Sequence, residues 1–255
     1  VTLAELLAVD IFQFFLVVTR IGAAIIAMPG LGGTVMPVQA RLAMTLAISL
    51  LVVPIVAKGL PPIPVHVLDL AVLLVKEVAV GAFLGLSAQA MMSALNLTGT
   101  FMAMQSGLAS VLTNDPVTQE QSSLLPGLFA NVALVLIFAT NTHHLMLEAV
   151  ISSYDLFRAG AVLPTGDLAN VLTHTVGESF GLGVQLAGPV VIFGVVFNGG
   201  LAIVNKLMPQ MQVFFVAMPV QVLGGLAMVM VTLPMMMMLF LRYLDDGLSA
   251  LAGVR

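Results

Sequence analysis

Few side chains in this 255-residue sequence could carry chemistry, and their spacing narrows what that chemistry is. There is no cysteine, which removes disulfides, thiolate metal sites and a cysteine nucleophile, and leaves the redox compartment open. His144 and Glu148 fall one helical turn apart beside His143, but no His-Glu-x-x-His string exists and no second helical pair completes a metal set. Ser106-Gly107 lacks the surroundings of a serine nucleophile, so an intramembrane hydrolase has no convincing catalytic set. The 17 methionines include Met235 to Met238, which distribute thioethers all round a helix and favour adaptable packing over a linear copper path. No catalytic residue, cofactor or metal ligand is expected.

What remains are charges and polar groups set in apolar sequence. A charge at the centre of a lone spanning helix costs about 2.5–3.5 kcal/mol on insertion scales, so Arg20, Lys76 and Glu77 stand out as buried-charge candidates. Neighbouring residues on a helix point about 100° apart, so Lys76 and Glu77 need partners elsewhere, either water at a helix end or an ion pair. Glu77 is the one mid-span carboxylate a proton-coupled carrier could use, and its basic neighbour weakens that reading. Further along, Gly81, Gly85, Gln89, Ser93, Asn96 and Thr100 recur at spacings of four, four, four, three and four. They put small and polar groups on one helix face, where Gly81-xxx-Gly85 admits a close backbone. Two readings stay open for that stripe: polar packing inside a bundle, or the wall of an aqueous passage.

The elements that must hold these residues follow from composition. Hydrophobic residues make up 60% of the chain and charged ones 8%, with a mean hydropathy of +1.14. A soluble domain carries about a quarter charged residues, so this is an all-α membrane protein. Eight basic against 12 acidic residues leave a net charge of −4 and no basic patch, which excludes nucleic acid as a partner. With no Trp, and Tyr154 and Tyr243 the only tyrosines, the interfacial aromatic belt is thin.

Six apolar stretches are read as helices, at 6–28, 39–57, 68–97, 124–142, 177–204 and 211–241, each approaching the length of a span. The first has neither a basic leader nor a small-residue cleavage site, and is read as a helix rather than a secretory signal. Gly59-Leu-Pro-Pro-Ile-Pro64 separates the second from the third. Residues 101–123 are read as a long loop, with a polar turn from Thr113 to Ser123. Asp167 can cap an amphipathic segment whose apolar face is Leu168, Val171, Leu172 and Val176. Asn205-Lys-Leu-Met-Pro-Gln210 makes the last two stretches a hairpin, while Pro29, Pro126, Pro189, Pro219 and Pro234 kink or end helices. Six alternating spans put Lys58, Arg158, Arg242 and Arg255 with the termini, against Arg41 and Lys206, a small bias toward cytoplasmic termini.

Taken together, several strings resemble the FliR family of flagellar export-gate proteins, equivalent to the SctT family of virulence type III secretion. They are Arg20 with Met28-Pro29 and Pro37-x-x-x-Arg41, Glu77-x-x-x-Gly81-x-x-x-Gly85, and Gly99 with Gln105-Ser-Gly107-Leu. Asn114-Asp-Pro116, Asn141-Thr-His143-His144-Leu with Ser152-Ser153, and Pro209-Gln-Met-Gln-Val-Phe-Phe215 with Pro219 continue the series. The chain departs from the family pattern at Gln212, Ala217 and Gln221.

The resemblance implies a non-enzymatic subunit of a closed gate through which unfolded flagellar or effector proteins leave the cytoplasm. It implies FliP-like and FliQ-like partner subunits, FlhB-like and FlhA-like export proteins nearby, and a place in the bacterial inner membrane at the flagellar basal body. Part of the assembly would be raised toward the periplasm. Residues 1–176 would be FliP-like and 177–255 a FliQ-like hairpin. The loop after the polar stripe would act as a plug, with Met102, Met104, Gln105, Ser106, Gly107, Leu108, Val111 and Leu112 as the sealing residues. The virulence branch is the alternative within the family. A secondary transporter is the alternative outside it, but it would call for inverted repeats and ionisable mid-span groups that the sequence does not show.

Overall fold

The computed structural model describes residues 3–33, 36–64, 66–108, 112–114, 121–161, 163–208 and 213–253. Among them are seven α-helices: α1 (Leu3–Ala27), α2 (Val38–Val56), α3 (Val67–Gln105), α4 (Leu124–Ala139), α5 (Thr142–Leu156), α6 (Thr165–Leu207) and α7 (Val213–Leu251). A single 3-10 turn, Ala57–Gly59, follows α2, and two three-residue strands, β1 (Leu112–Asn114) and β2 (Gln121–Ser123), form an antiparallel ribbon. The ribbon pairs Leu112 with Ser123 and Asn114 with Gln121, and residues 115–120 of the expected polar turn lie outside the described residues. The fold is all-α apart from that ribbon.

Each of the six apolar stretches is helical, with three differences of extent. The helix α3 continues through Gln105, so residues 101–105 are helix and not loop. The fourth stretch is followed by a separate helix, α5, because Asn141 takes a left-handed conformation (φ 61°) that a short polar side chain tolerates. Third, α6 absorbs the segment expected to be separately amphipathic. There Leu168 and Thr175 are buried while Val171 and Val176 face outward, so the apolar face drawn from the sequence is not the one the chain buries. Pro54, Pro189, Pro219 and Pro234 lie inside helices that continue past them. By length and composition α2, α6 and the Ala217–Leu251 part of α7 can cross a membrane, and the broken pair α4 and α5 makes a fourth span if counted as one. Among the described residues, three or four of the six expected spans are therefore long and apolar enough to cross.

The chain groups into two compact units that interleave in sequence: residues 1–91, 138–176 and 244–255, and residues 92–137 and 177–243. In the first, α1 lies so close on α3 that a Cβ at Gly81 would stand 2.1 Å from the Arg20 carbonyl oxygen, and one at Gly85 2.5 Å from the Ala27 Cβ. Glycine at those two positions is what lets the backbones meet. The contact delivers the Arg20 side chain to Glu77, one turn before Gly81. Arg20 Nε donates to Glu77 Oε2 at 2.6 Å and Nη2 to Oε1 at 3.1 Å, with both side chains 1% exposed. Nη1 donates to Ser153 Oγ at 3.2 Å, Nη2 also to the Phe157 carbonyl at 2.9 Å, and the guanidinium carbon lies 3.9 Å from the centre of the Tyr154 ring. One arginine thus ties α1, α3 and the end of α5. Lys76 takes no part in that network, and its Nζ donates to the Ala161 carbonyl.

The α1–α2 turn is tied by a second arginine. Arg41 Nη2 donates to the carbonyls of Gly33 and Met36, and the Thr45 hydroxyl closes back on the Arg41 carbonyl. In the second unit α6 and α7 run antiparallel, since Gly224 of α7 meets Phe193 of α6 and Tyr243 hydrogen-bonds Ser179.

Two expected outcomes test this core. Removing one partner of a buried pair strands the other charge at a cost of about 3–5 kcal/mol, so Arg20→Met and Glu77→Gln should each lower the unfolding temperature in detergent strongly, and the double variant by much less than the sum of the two. Additive losses in that cycle would show that the two groups do not stabilise each other. Gly81→Ala should cost about 1–3 kcal/mol, because its Cβ meets backbone that cannot swing away. Gly188→Ala, which has no neighbour within 4 Å, should be neutral or stabilising by up to about 1 kcal/mol. Equal effects at the two positions would refute the close approach of α1 and α3.

Candidate functional site

The end of α3 is where the sealing candidates gather, and its termination is a property of three residues. Gly107 has φ 73°, the left-handed conformation that closes a helix, and the amide of Leu108 donates back to the Ala103 carbonyl at 2.9 Å. That bond, with a glycine before it and a buried apolar residue at its head, is the long bond of a Schellman cap. Ser106 is fully buried, and both its amide (2.9 Å) and its hydroxyl (2.6 Å) donate to the Met102 carbonyl. The string Gln105-Ser-Gly-Leu is thus a capped helix end, with the Met102 and Ala103 carbonyls satisfied.

Around that turn stand two further helices. Gln221 of α7 donates from Nε2 to the Gln105 carbonyl at 2.8 Å. A Cβ on Gly225 would lie 2.3 Å from the Ser106 Cβ, and one on Gly194 of α6 2.5 Å from Gln105 Oε1. Earlier on the same helices, the Thr98 hydroxyl lies 2.7 Å from the Ala94 carbonyl and 3.1 Å from that of Gly183. Gly99 sits against the start of α4 at Pro126. Gly225 and Gly194 were not singled out from the sequence, and Gln221 only as a departure from the family pattern. Their signal was there in the glycines, since glycine in mid-helix carries a propensity cost and marks a close backbone approach.

The sealing candidates do not form one set. Met102 is fully buried and Leu108 nearly so, whereas Met104 is 62% exposed on the opposite side of the helix. Val111 lies outside the described residues, and for Leu112 only the backbone strand is described. The polar stripe likewise divides. Gly81 and Gly85 are buried against α1, while Gln89, Ser93, Asn96 and Thr100 are exposed and Met104 continues their line. Arg20 and Glu77 come together in the first unit, with Lys76 aimed away from them. The His143 and His144 rings lie 4.2 Å apart between centres, tilted by 43°, and among the described residues no three His, Asp or Glu side chains cluster as a metal set would require.

Residues 11–247 match the family model of bacterial export proteins, family 1. The flagellar biosynthetic protein FliR of Caulobacter vibrioides is 34% identical over 216 residues, covering 85% of this chain and 86% of its own. FliR of Bacillus subtilis is 29% identical over 84% of this chain and 83% of its own, and the Yop proteins translocation protein T of Yersinia pestis is 24% identical over 86% and 85%. An all-α, membrane-spanning chain matched along almost its whole length in this way belongs to the FliR family, bacterial export proteins family 1.

Proposed function

We propose that the chain is a structural subunit of the flagellar type III protein export gate, forming part of a closed passage for unfolded substrates together with FliP-like and FliQ-like subunits. The observation that carries this reading is the exposed half of the α3 stripe. Gln89, Ser93, Asn96 and Thr100 point outward from a protein whose other exposed side chains include Leu50, Leu51, Val135, Val196, Leu223 and Val231. Hydrocarbon satisfies no side-chain amide, so Gln89 and Asn96 turn that face to water or to another subunit, while the Thr100 hydroxyl is already bonded to the Asn96 carbonyl. The flagellar reading is favoured over the virulence one by identity, 34% and 29% to flagellar relatives against 24% to the Yop translocation protein.

Within that gate the segment after Leu108 serves as the resting seal, displaced when substrate passes, because it leaves directly from the capped end of the polar-striped helix. Residues 1–176 take the FliP-like place and the α6–α7 hairpin, within 177–255, the FliQ-like one. The assembly sits in the bacterial inner membrane at the flagellar basal body, beside FlhA-like and FlhB-like export proteins, with part of it raised toward the periplasm.

Shortening the chain between Gly107 and Thr113 should make liposomes carrying the assembled gate leak ions while assembly persists. Normal yield with conductance at the closed baseline would refute the seal. Photo-crosslinkers at the exposed positions Val196 and Val231 should capture a small membrane protein in cells. Lipid adducts alone, at both positions, would make the hairpin peripheral.

A further inference from the structure

We propose that the cavity at the α2–α3 connection is a lipid site, which takes the headgroup of a phospholipid carrying both a phosphate and a primary amine, phosphatidylethanolamine. The cavity is open and holds about 250 Å³, and its lining comes wholly from the first compact unit. Pro61 and Pro64 of the linker form one wall, Asp69, Leu73 and Lys76 of α3 a second, and Gly160, in the turn after α5, the floor. That floor is closely drawn. Gly160 has φ 85°, and a Cβ there would meet Pro61 at 3.5 Å and the Leu73 side chain at 3.7 Å. The space falls below the roughly 300–1,000 Å³ of a pocket for a drug-sized molecule, so it suits a headgroup and not a larger ligand.

Two charges of opposite sign identify the occupant. Asp69 and Lys76 stand at i and i+7 on one side of α3, about 10 Å apart along the axis, and among the described residues they make no ion pair with each other. Lys76 is half-buried and spends one of its three donors on the Ala161 carbonyl at 3.2 Å, which leaves two to meet a phosphate. Asp69 is exposed, with no hydrogen-bond partner among the described residues, and its carboxylate can accept from an ammonium. An acid in the first turn also suits the helix dipole, but that role needs neither a lysine nor a cavity beside it. An anionic headgroup would bring its net charge against Asp69, and a quaternary amine offers that carboxylate no N–H. Position supplies the lipid. The 19 residues of α2 rise about 28 Å, close to the roughly 30 Å of the hydrocarbon core, so its last turn reaches headgroup level and the cavity opens shortly beyond, at Pro61. Leu68, Val72 and Val75 make an exposed apolar row alongside Asp69, Leu73 and Lys76, and the acyl chains can lie on it.

The test uses the full chain, purified with whatever subunits accompany it and reconstituted in nanodiscs holding phosphatidylethanolamine, phosphatidylcholine and phosphatidylglycerol in equal parts. After transfer to mild detergent, the lipid retained per chain is counted by mass spectrometry for the native protein and each variant. The lipid lost on substitution then reports this site alone. Asp69→Asn removes the ammonium's acceptor at an exposed position and should lower retained phosphatidylethanolamine by about one molecule per chain, with phosphatidylcholine and subunit composition unchanged. The selectivity for the primary amine over the quaternary one should be about tenfold, the worth of one charged hydrogen bond. Asp69→Glu should keep it. Lys76→Gln should lose the same lipid, and if that variant fails to assemble, Asp69→Asn decides. Phosphatidylethanolamine retained in full by Asp69→Asn would overturn the proposal and leave Asp69 as a helix-end acid. Equal loss of all three lipids would overturn it too, as would a native site that holds phosphatidylglycerol by preference, since the cavity would then bind any phosphate through Lys76.

Discussion

Burying a guanidinium and a carboxylate together in a chain with so few charges is the constraint on which the first compact unit depends. Removing two ions from water costs several kcal/mol each, and the pair breaks even only when its geometry is good and the leftover donors are met. Arg20 meets that condition in full view. Two donors grip Glu77, one reaches Ser153, one reaches the Phe157 carbonyl, and the cation's face rests on Tyr154. Glu77 comes from α3, and Ser153, Tyr154 and Phe157 from the end of α5, so a shift of either helix by half a turn would leave a charge unpaired. The pair adds little net stability over an apolar replacement, but it penalises every wrong register.

The glycines and the charges are one device. Glu77, Gly81 and Gly85 are spaced i, i+4, i+8 on α3, so the face that carries the carboxylate is also the face that a backbone can approach. The Arg20 carbonyl lies over Gly81 while its side chain extends one turn toward Glu77. A larger residue at Gly81 would lift α1 away and lengthen the bidentate bond. At the far end of the same helix the logic repeats without charge. Gly194 and Gly225 let two helices close on Gln105 and Ser106, and a neutral amide, Gln221, satisfies the acceptor that closure would otherwise strand.

Periodicity made much of this legible. The six apolar stretches, the hairpin of the last two helices and the i, i+4 face of Gly81 and Gly85 follow from composition and spacing alone. The partner of Glu77 did not, because Arg20 is 57 residues away and adjacent Lys76 is the nearer cation in sequence. The end of α3 was placed too early because Ser106-Gly107 reads equally as the opening of a loop and as a helix cap. Only the Leu108 amide reaching back to Ala103 separates the two. The break at Asn141 was hidden because apolar residues continue on its N-terminal side and a single left-handed Asn leaves no periodic trace. The stripe was legible as a face but not as a division, since spacing cannot say that α1 covers two of its turns and leaves the next four polar residues open.

Hydropathy fails for a related reason: it measures aversion to water and is silent on what replaces it. The polar-striped α3 and the apolar α1 are as hydrophobic over much of their length as a spanning helix, yet α1 is spent on burying Arg20 and the start of α3 on receiving it. By contrast α2, α6 and α7 carry Leu, Val, Ile and Met outward along their length, with Ile55, Val195, Val196, Met230 and Val231 among the most exposed. Lipid can cover those side chains at no polar cost, whereas the outward amides of α3 require a donor or acceptor from water or protein. The same chain thus offers two surfaces with opposite demands. A membrane-embedded export component has to meet both at once, with hydrocarbon or neighbouring helices along the apolar helices and polar neighbours or solvent along α3.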